Sequence, residues 1–419
     1  MSTAAPPSDN RLTAPGRALA PFRFAAFRAI WTANLVSNFG SMIQSVGAAW
    51  LMTDLTSSHQ LVALVQASTT IPFMLLAVFA GAIADNYDRR LVMLAAQAGM
   101  LVVSATLAVL TMLGQIGPLS LLACTLAVGC GTALNGPAWQ ASVRMQVGAA
   151  DLPQAISLNT IAFNLARSVG PALGGLLISL TGPEVGFTVN ALSYLALILV
   201  LLRWRPEHPP RQRQPMLASI MTGLRFCAGS DPVRRVLARG LLFGFGAAGV
   251  QGLLPLLVRH RLHGGEVQYG LVLGAFGIGS IVTALWIARA RRRWGSEAVV
   301  NAASLAFALA VVPMAFTHSF PLALACLLVA GGGWVATLTT LNVAMQLRSP
   351  ETILGRCMAI YQAVTFGGMA IGAYALGLVA DLAGISAAIL GAAVLLAGSL
   401  PLLHRFAPMP RREEGRVAL

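Results

Sequence analysis

Gly81-Ala-Ile-Ala-Asp85-Asn-Tyr-Asp-Arg89-Arg90 closes one apolar run with a charged turn and opens the next. Residues 60–84 before the turn and 91–113 after it are each long enough to cross a bilayer as helix, which takes roughly 20 apolar residues. Working outward in both directions, the same alternation of long apolar run and short polar turn continues. Candidate spans lie at 28–52, 60–84, 91–113, 119–143, 155–180 and 185–202, then at 236–258, 268–288, 297–316, 321–345, 356–381 and 386–403. Twelve spans split six and six predict an all-α membrane protein of two six-helix bundles, at 28–202 and 236–404.

Composition supports this expectation. Of 419 residues, 57% are hydrophobic and only 10% charged, whereas a soluble domain carries about 25% charged residues. So few charges cannot cover the surface of a water-soluble fold of this length, and disorder, collagen and coiled coil fail for want of their own patterns. All 28 basic residues are Arg. Without Lys there is no Walker A loop, whose Lys reaches the nucleotide phosphates. Transport against a gradient would therefore not draw on nucleotide hydrolysis in this chain. The net charge of +14 sits mostly in short loops, which marks topology rather than a nucleic-acid partner.

Every Arg except Arg167, Arg259 and Arg261 falls on one side of the predicted spans. The positive-inside rule then places both termini in the cytoplasm. Residues 1–27, Pro-rich and without an apolar signal core, read as a disordered cytoplasmic tail, and 405–419 as a second tail. Residues 203–235 join the halves, with Pro206, Pro209, Pro210 and Pro215 ahead of an amphipathic piece, Met216 to Cys227. The halves repeat at an offset near 200: Ala84–Arg90 aligns with Ala288–Arg293, Gly129-Cys-Gly131 with Gly331-Gly-Gly333, and Gly182 with Gly384. An even-span repeat keeps its orientation, so the expected symmetry axis lies along the membrane normal.

Cys124, Cys130, Cys227, Cys326 and Cys357 form no CxxC pair, and the six His lie in loops or at span ends. Neither a zinc site nor a disulfide framework is indicated. HExxH and GxSxG are missing, so no enzyme chemistry, metal or cofactor is expected. Gly244-Phe-Gly246-Ala-Ala-Gly249 matches a dinucleotide fingerprint but lies mid-span without a preceding strand, and reads as helix packing.

The 81–90 loop, with Gly81, Asp85 and the Arg89–Arg90 pair, resembles the signature loop of the major facilitator superfamily. Asp88 stands where that pattern usually has Gly. In the fifth span, Gly170-Pro171-Ala-Leu-Gly174-Gly175 resembles the superfamily's antiporter motif, although positions 157 and 161–166 lack its further glycines. Thr125 replaces the Arg that another signature places four residues ahead of Gly129. Together with Asn164–Pro171 and Asn135–Gln140, the pattern is most similar to the enterobactin-exporter-like branch. The resemblance implies alternating-access export of a small siderophore-like or drug-like molecule, with the lipid bilayer as surroundings, no nucleic acid, and a monomer. Import by the same fold and a non-transporting scaffold or receptor are the alternatives.

Within this frame Asp85 is expected to latch the cytoplasmic side, because a carboxylate is stabilised at a helix N-terminus and the eleventh span starts nearby, at about Glu351 to Arg356. Arg144 and Arg356 are placed to add ion pairs. Gly170 and Gly174 form a small-xxx-small face; generic membrane-helix packing is the competing reading, since 270–274 and 368–372 carry the same spacing. Arg167, near the middle of span five, is the outstanding residue, because Arg at a helix centre costs roughly 2.5–3.5 kcal/mol on insertion scales and normally faces a cavity or partner. Asn34 and Asn38 with Ser41 and Ser45 form one stripe of span one, and Asn164 shares the Arg167 face. Gln251, Tyr361, Gln362 and the aromatic Trp139 and Trp334 complete a candidate site for an amphipathic anion. Helix glue through Asn and carbonyls is the competing role for Arg167. Asp54 and Asp381, at the outer ends of spans one and eleven, are the candidate proton carriers.

Overall fold

The computed structural model describes residues 19–148, 151–205 and 216–409. Thirteen α-helices fill this part: α1 (Ala25–Leu55), α2 (His59–Asn86), α3 (Arg89–Met112), α4 (Pro118–Ser142), α5 (Leu152–Thr181), α6 (Pro183–Arg203), α7 (Met216–Gly229), α8 (Asp231–His260), α9 (Glu266–Trp294), α10 (Ser296–Val311), α11 (Phe320–Arg348), α12 (Leu354–Ala383) and α13 (Ile385–Phe406). Eleven helices are long and apolar enough to cross a membrane. α1 has the length but not the apolarity, because Asn34, Ser37, Asn38, Ser41, Gln44 and Ser45 interrupt it.

Local chemistry sets the boundaries. Ser58 caps α2 by accepting from the Leu61 N–H at 3.3 Å. Asp88 caps α3 by accepting from the Arg90 N–H at 2.8 Å, which explains an Asp where the family loop has Gly. Gly182 (φ 89°, ψ 162°) ends α5 and starts α6, and Gly384 (φ 88°, ψ 161°) does the same between α12 and α13. These two aligned residues share a backbone conformation that side-chain-bearing residues avoid.

Several predicted edges shift. α9 continues past residue 288 through its Arg cluster to Trp294, since Arg is a good helix former whose stem lies along apolar surface while its charge reaches water. α10 stops at Val311, and Pro313 opens a 3-10 turn over Pro313–Ala315. Within the expected N-terminal tail, Ala20–Arg23 form a 3-10 turn, α1 starts at Ala25, and Arg23 pairs with Asp151 at 2.5 Å. The remainder of that tail, the Pro-rich part of the linker and residues 410–419 lie outside the described residues.

Packing follows one pattern twice. α1 lies on α5 and α6, α3 on α4 and α6, and α2 on α4; correspondingly α8 lies on α12 and α13, α10 on α11 and α13, and α9 on α11. The aligned glycines occupy matching contacts. Gly129 faces Pro72 of α2 as Gly331 faces Phe276 of α9, and Gly131 faces Met100 of α3 as Gly333 faces Ala303 of α10. The N-terminal and C-terminal helices meet along two seams, α2 on α12 and α5 on α9.

Candidate functional site

Arg167 lies midway along α5, on the seam with α9, its guanidinium 5.8 Å from the centre of the Phe276 ring. Among the described residues this aromatic face is its one charge-complementary contact, and no carboxylate pairs with it. Phe276 belongs to an aromatic cluster with Trp334, Phe243 and Phe307; the Phe276–Trp334 and Phe243–Trp334 centroids are 6.0 and 5.8 Å apart. Beside the cluster, Gln251 and Phe276 help line a cavity of about 10 Å³, room for one water.

The other predicted site residues divide. Asn34, Asn38 and Gln362 are partly exposed. Asn164 donates to the Thr160 carbonyl at 2.8 Å, within its own helix. Two members stand apart from a polar surface. Tyr361 is buried against α8 and donates to the Leu338 carbonyl at 3.3 Å, while Trp334 is only 5% exposed within its cluster. Their size and apolar area fit helix–helix gaps. Trp139 packs beside Ile30, Ala33 and Ala138, towards the end of the bundle that carries the termini. Ser41 turns away from the proposed stripe to meet the Tyr194 hydroxyl at 3.3 Å, and Gln44 accepts from Asn190 at 2.9 Å. This α1–α6 network escaped sequence reading, although Asn190 and Ser193 sit inside an apolar run where polar residues need partners.

The fifth-span motif has two faces. Gly170 and Gly174 lie against Met42 and Ile43 of α1, whereas Gly175 and Pro171 lie against Glu266 and Gly270 of α9. Gly274 and Gly277 continue this seam opposite Ser168. The 270–274 repeat is thus the counter-surface of the motif. The 368–372 repeat instead packs on Leu241 and Phe245 of α8, and Gly244, Gly246 and Gly249 pack on α12 and α13.

In the 81–90 loop, Arg89 donates to the Ala141 carbonyl at 2.9 Å and Arg90 to the carbonyls of Leu201 and Leu202 at 2.7 and 2.8 Å. Both cations sit at helix C-termini, where exposed carbonyls and the helix dipole favour them. Gly81 has open space around it, Arg144 is exposed in the 3-10 turn after α4, and Arg356 begins α12 beside Gly223 of α7. The side chain of Asp85 lies outside the described residues.

At the opposite end, Asp54 of α1 is ion-paired with Arg259 of α8, whose guanidinium also lies 5.8 Å from the Trp50 ring. Asp381 of α12 accepts from the Ser58 hydroxyl at 2.9 Å and from the His59 and Gln60 backbone N–H groups at 2.6 and 3.1 Å. Both candidate proton carriers therefore bridge N-terminal and C-terminal helices. Arg239, inside the predicted span 236–258, is 1% exposed. It donates to Glu297 at 2.9 Å, Asn301 at 2.8 Å and the carbonyls of Leu403 and Ala407 at 3.1 and 3.0 Å. The signal available to sequence reading was only its position two turns into α8, beyond the linker charges.

The fold is that of a helical, multi-pass membrane protein whose N-terminal and C-terminal helices meet along glycine-lined seams. The family model described as transmembrane secretion effector matches residues 16–418, and the chain belongs to that branch of the major facilitator superfamily, whose members are transporters and not enzymes. It is 27% identical to the multidrug efflux pump Tap of Mycolicibacterium fortuitum over 386 residues, covering 88% of this chain and 91% of that protein. It is 25% identical to the staphyloferrin A transporter of Staphylococcus aureus (83% and 87% covered) and 26% to the enterobactin exporter EntS of Shigella boydii (84% of each). Its fold superposes on a D-xylose-proton symporter with a TM-score of 0.74 at 13% identity, covering 94% of this chain and all of that one. The human organic anion transporter MFSD10 gives 0.67 at 18% identity, covering 93% and 100%.

Proposed function

We propose that this transporter exports a small amphipathic anion, siderophore-like or drug-like, across the bacterial inner membrane by alternating access driven by an ion gradient. The supporting observation is Arg167: a cation at mid-helix, on the seam between halves, with an aromatic face beside it and no carboxylate among the described residues to neutralise it. An intramembrane charge left in this state is a binding-site hypothesis by default. Asn34, Asn38, Asn164, Gln251 and Gln362 supply the polar positions of the proposed site, while Trp334 backs the Phe276 face.

The twice-repeated packing supports twelve spans in two six-helix bundles, 28–202 and 236–404, with α7 in the linker. Arg placement supports both termini in the cytoplasm, which makes the Asp54–Arg259 and Asp381–α2 contacts an outer closure and the Gly81–Arg90 loop with Arg144 and Arg356 an inner gate. Protonation of Asp54 or Asp381 would remove the charge holding the outer closure, a direct route from proton to conformation. A monomer suffices for this cycle. Purified protein in vesicles, loaded with an anionic catecholate and its neutral ester, tests the reading: efflux that prefers the anion and depends on an imposed pH gradient is expected. Equal efflux of both compounds rejects anion recognition, and indifference to the gradient rejects proton coupling.

A further inference from the structure

Along the outer face of α13, beside α8, runs an apolar groove of about 410 Å³ lined by Leu242, Leu395, Gly398, Leu402 and Phe406. Its floor is open at Gly398, where an added Cβ would meet nothing within 4 Å. The lining residues of α13 run from 394 to 406, about 18 Å at the helical rise, or roughly half the hydrocarbon thickness of a bilayer. That is the reach of one acyl chain from its own leaflet.

The mouth at the Phe406 end is basic. Arg405 is exposed and stands 5.8 Å from the Phe406 ring centre. Arg235 lies seven residues before Leu242, on the same face of α8, and uses one guanidinium nitrogen on the Pro408 carbonyl at 3.3 Å. Glu297, the nearby carboxylate, is engaged by Arg239, His404 and the Met409 N–H. Two cations at interfacial depth above a chain-length apolar groove complement a phosphate carrying an acyl tail. We propose that this groove binds one anionic phospholipid, its chain over Gly398 and its phosphate between Arg235 and Arg405.

The test titrates delipidated protein in detergent with dioleoyl phosphatidylglycerol and with dioleoyl phosphatidylcholine, counting bound lipid by native mass spectrometry. One phosphatidylglycerol should be retained at least tenfold more tightly than phosphatidylcholine. Gly398→Phe, whose Cβ would meet nothing within 4 Å, places a ring in the groove and should abolish that binding. Arg235→Gln and Arg405→Gln should each weaken it about fivefold, leaving phosphatidylcholine unaffected. Glycerol 3-phosphate, the headgroup chemistry without chains, should not displace the lipid. Equal retention of the two lipids, or unchanged binding in Gly398→Phe, overturns the proposal; so does displacement by glycerol 3-phosphate. Arg405→Gln, at an exposed side chain, keeps the test decisive if Gly398→Phe does not fold.

Discussion

Asp381, in the last turn of α12, accepts the backbone N–H of His59 at 2.6 Å, so a carboxylate ending one helix caps the start of another from the other half of the chain. The expected Asp85 latch has the converse arrangement, the end of α2 facing the start of α12. The two long helices run antiparallel, so each can offer a carboxylate to the positive end of its neighbour, one at each face of the membrane. The Ser58 hydroxyl and the Gln60 N–H complete the Asp381 contact. Losing a helix cap costs about 1–2 kcal/mol.

Asp381→Ala should therefore favour separation at this end by about five- to thirtyfold. A single cysteine at Ala63, fully buried on α2, reports it through the rate of maleimide labelling. Asp381→Asn keeps an acceptor and should give a smaller rise. Labelling that stays slow in both variants refutes a closing role for Asp381.

Asp85→Asn should act in the opposite sense. The amide loses the charge that favours the α12 N-terminus, and cysteines placed at the C-terminal end of α2 and the N-terminal end of α12 should label faster. Transport lost with unchanged labelling would reject the inner latch.

Arg167→Ala should leave folding intact and weaken binding of an anionic substrate by roughly ten- to 150-fold, the loss of a charge-assisted hydrogen bond worth about 1.5–3 kcal/mol. Arg167→Lys should restore part of it, retaining charge without the planar fork. Melting temperature and affinity measured on the same purified variant separate binding from glue: a destabilised protein of unchanged affinity excludes the binding role.

Arg239→Ala removes the cation from a buried pair and should cost about 3–5 kcal/mol, seen as early unfolding of the C-terminal helices in hydrogen exchange. Wild-type protection in α8, α10 and α13 would contradict this. Transport per folded molecule should change little, because Arg239 holds the C-terminal segment rather than the Arg167 region.

Gly175→Ala sets a methyl against the Glu266 carbonyl across the α5–α9 seam. Overpacking of this kind costs about 1–3 kcal/mol, so thermal stability or transport should fall. Gly136→Ala, with nothing within 4 Å, is the matched control and should be neutral or slightly stabilising.

The spans were legible because long apolar runs leave little choice of structure, and Gly182 and Gly384 were legible because a required backbone conformation restricts residue type. Arg167 stood out for the same kind of reason, a charge where charge is costly. What the sequence withheld was pairing across distance. Asp54 and Asp381 looked alike as isolated outer carboxylates, yet one meets a guanidinium and the other a helix N-terminus. Tyr361 and Trp334 read as polar-aromatic wall residues, but which side of an all-apolar helix faces its neighbours depends on the complete packing. Arg239 was hidden because its partners lie at residues 297, 301, 403 and 407.

Along the α5–α9 contact, glycines bring main chain against main chain: Gly270 meets Pro171, and Gly274 and Gly277 meet Ser168. Interlocking side chains would fix the register of two helices and force rotamers to re-sort whenever the angle changed. A nearly bald surface has few rotamers to re-sort, so tilting one half against the other meets little friction along this line. In the proposed cycle, resistance to that tilting falls more on the α2–α12 seam and on the ionic contacts at its ends. On that proposal, events as small as the gain or loss of one proton, or the arrival of one charged molecule, would set its pace.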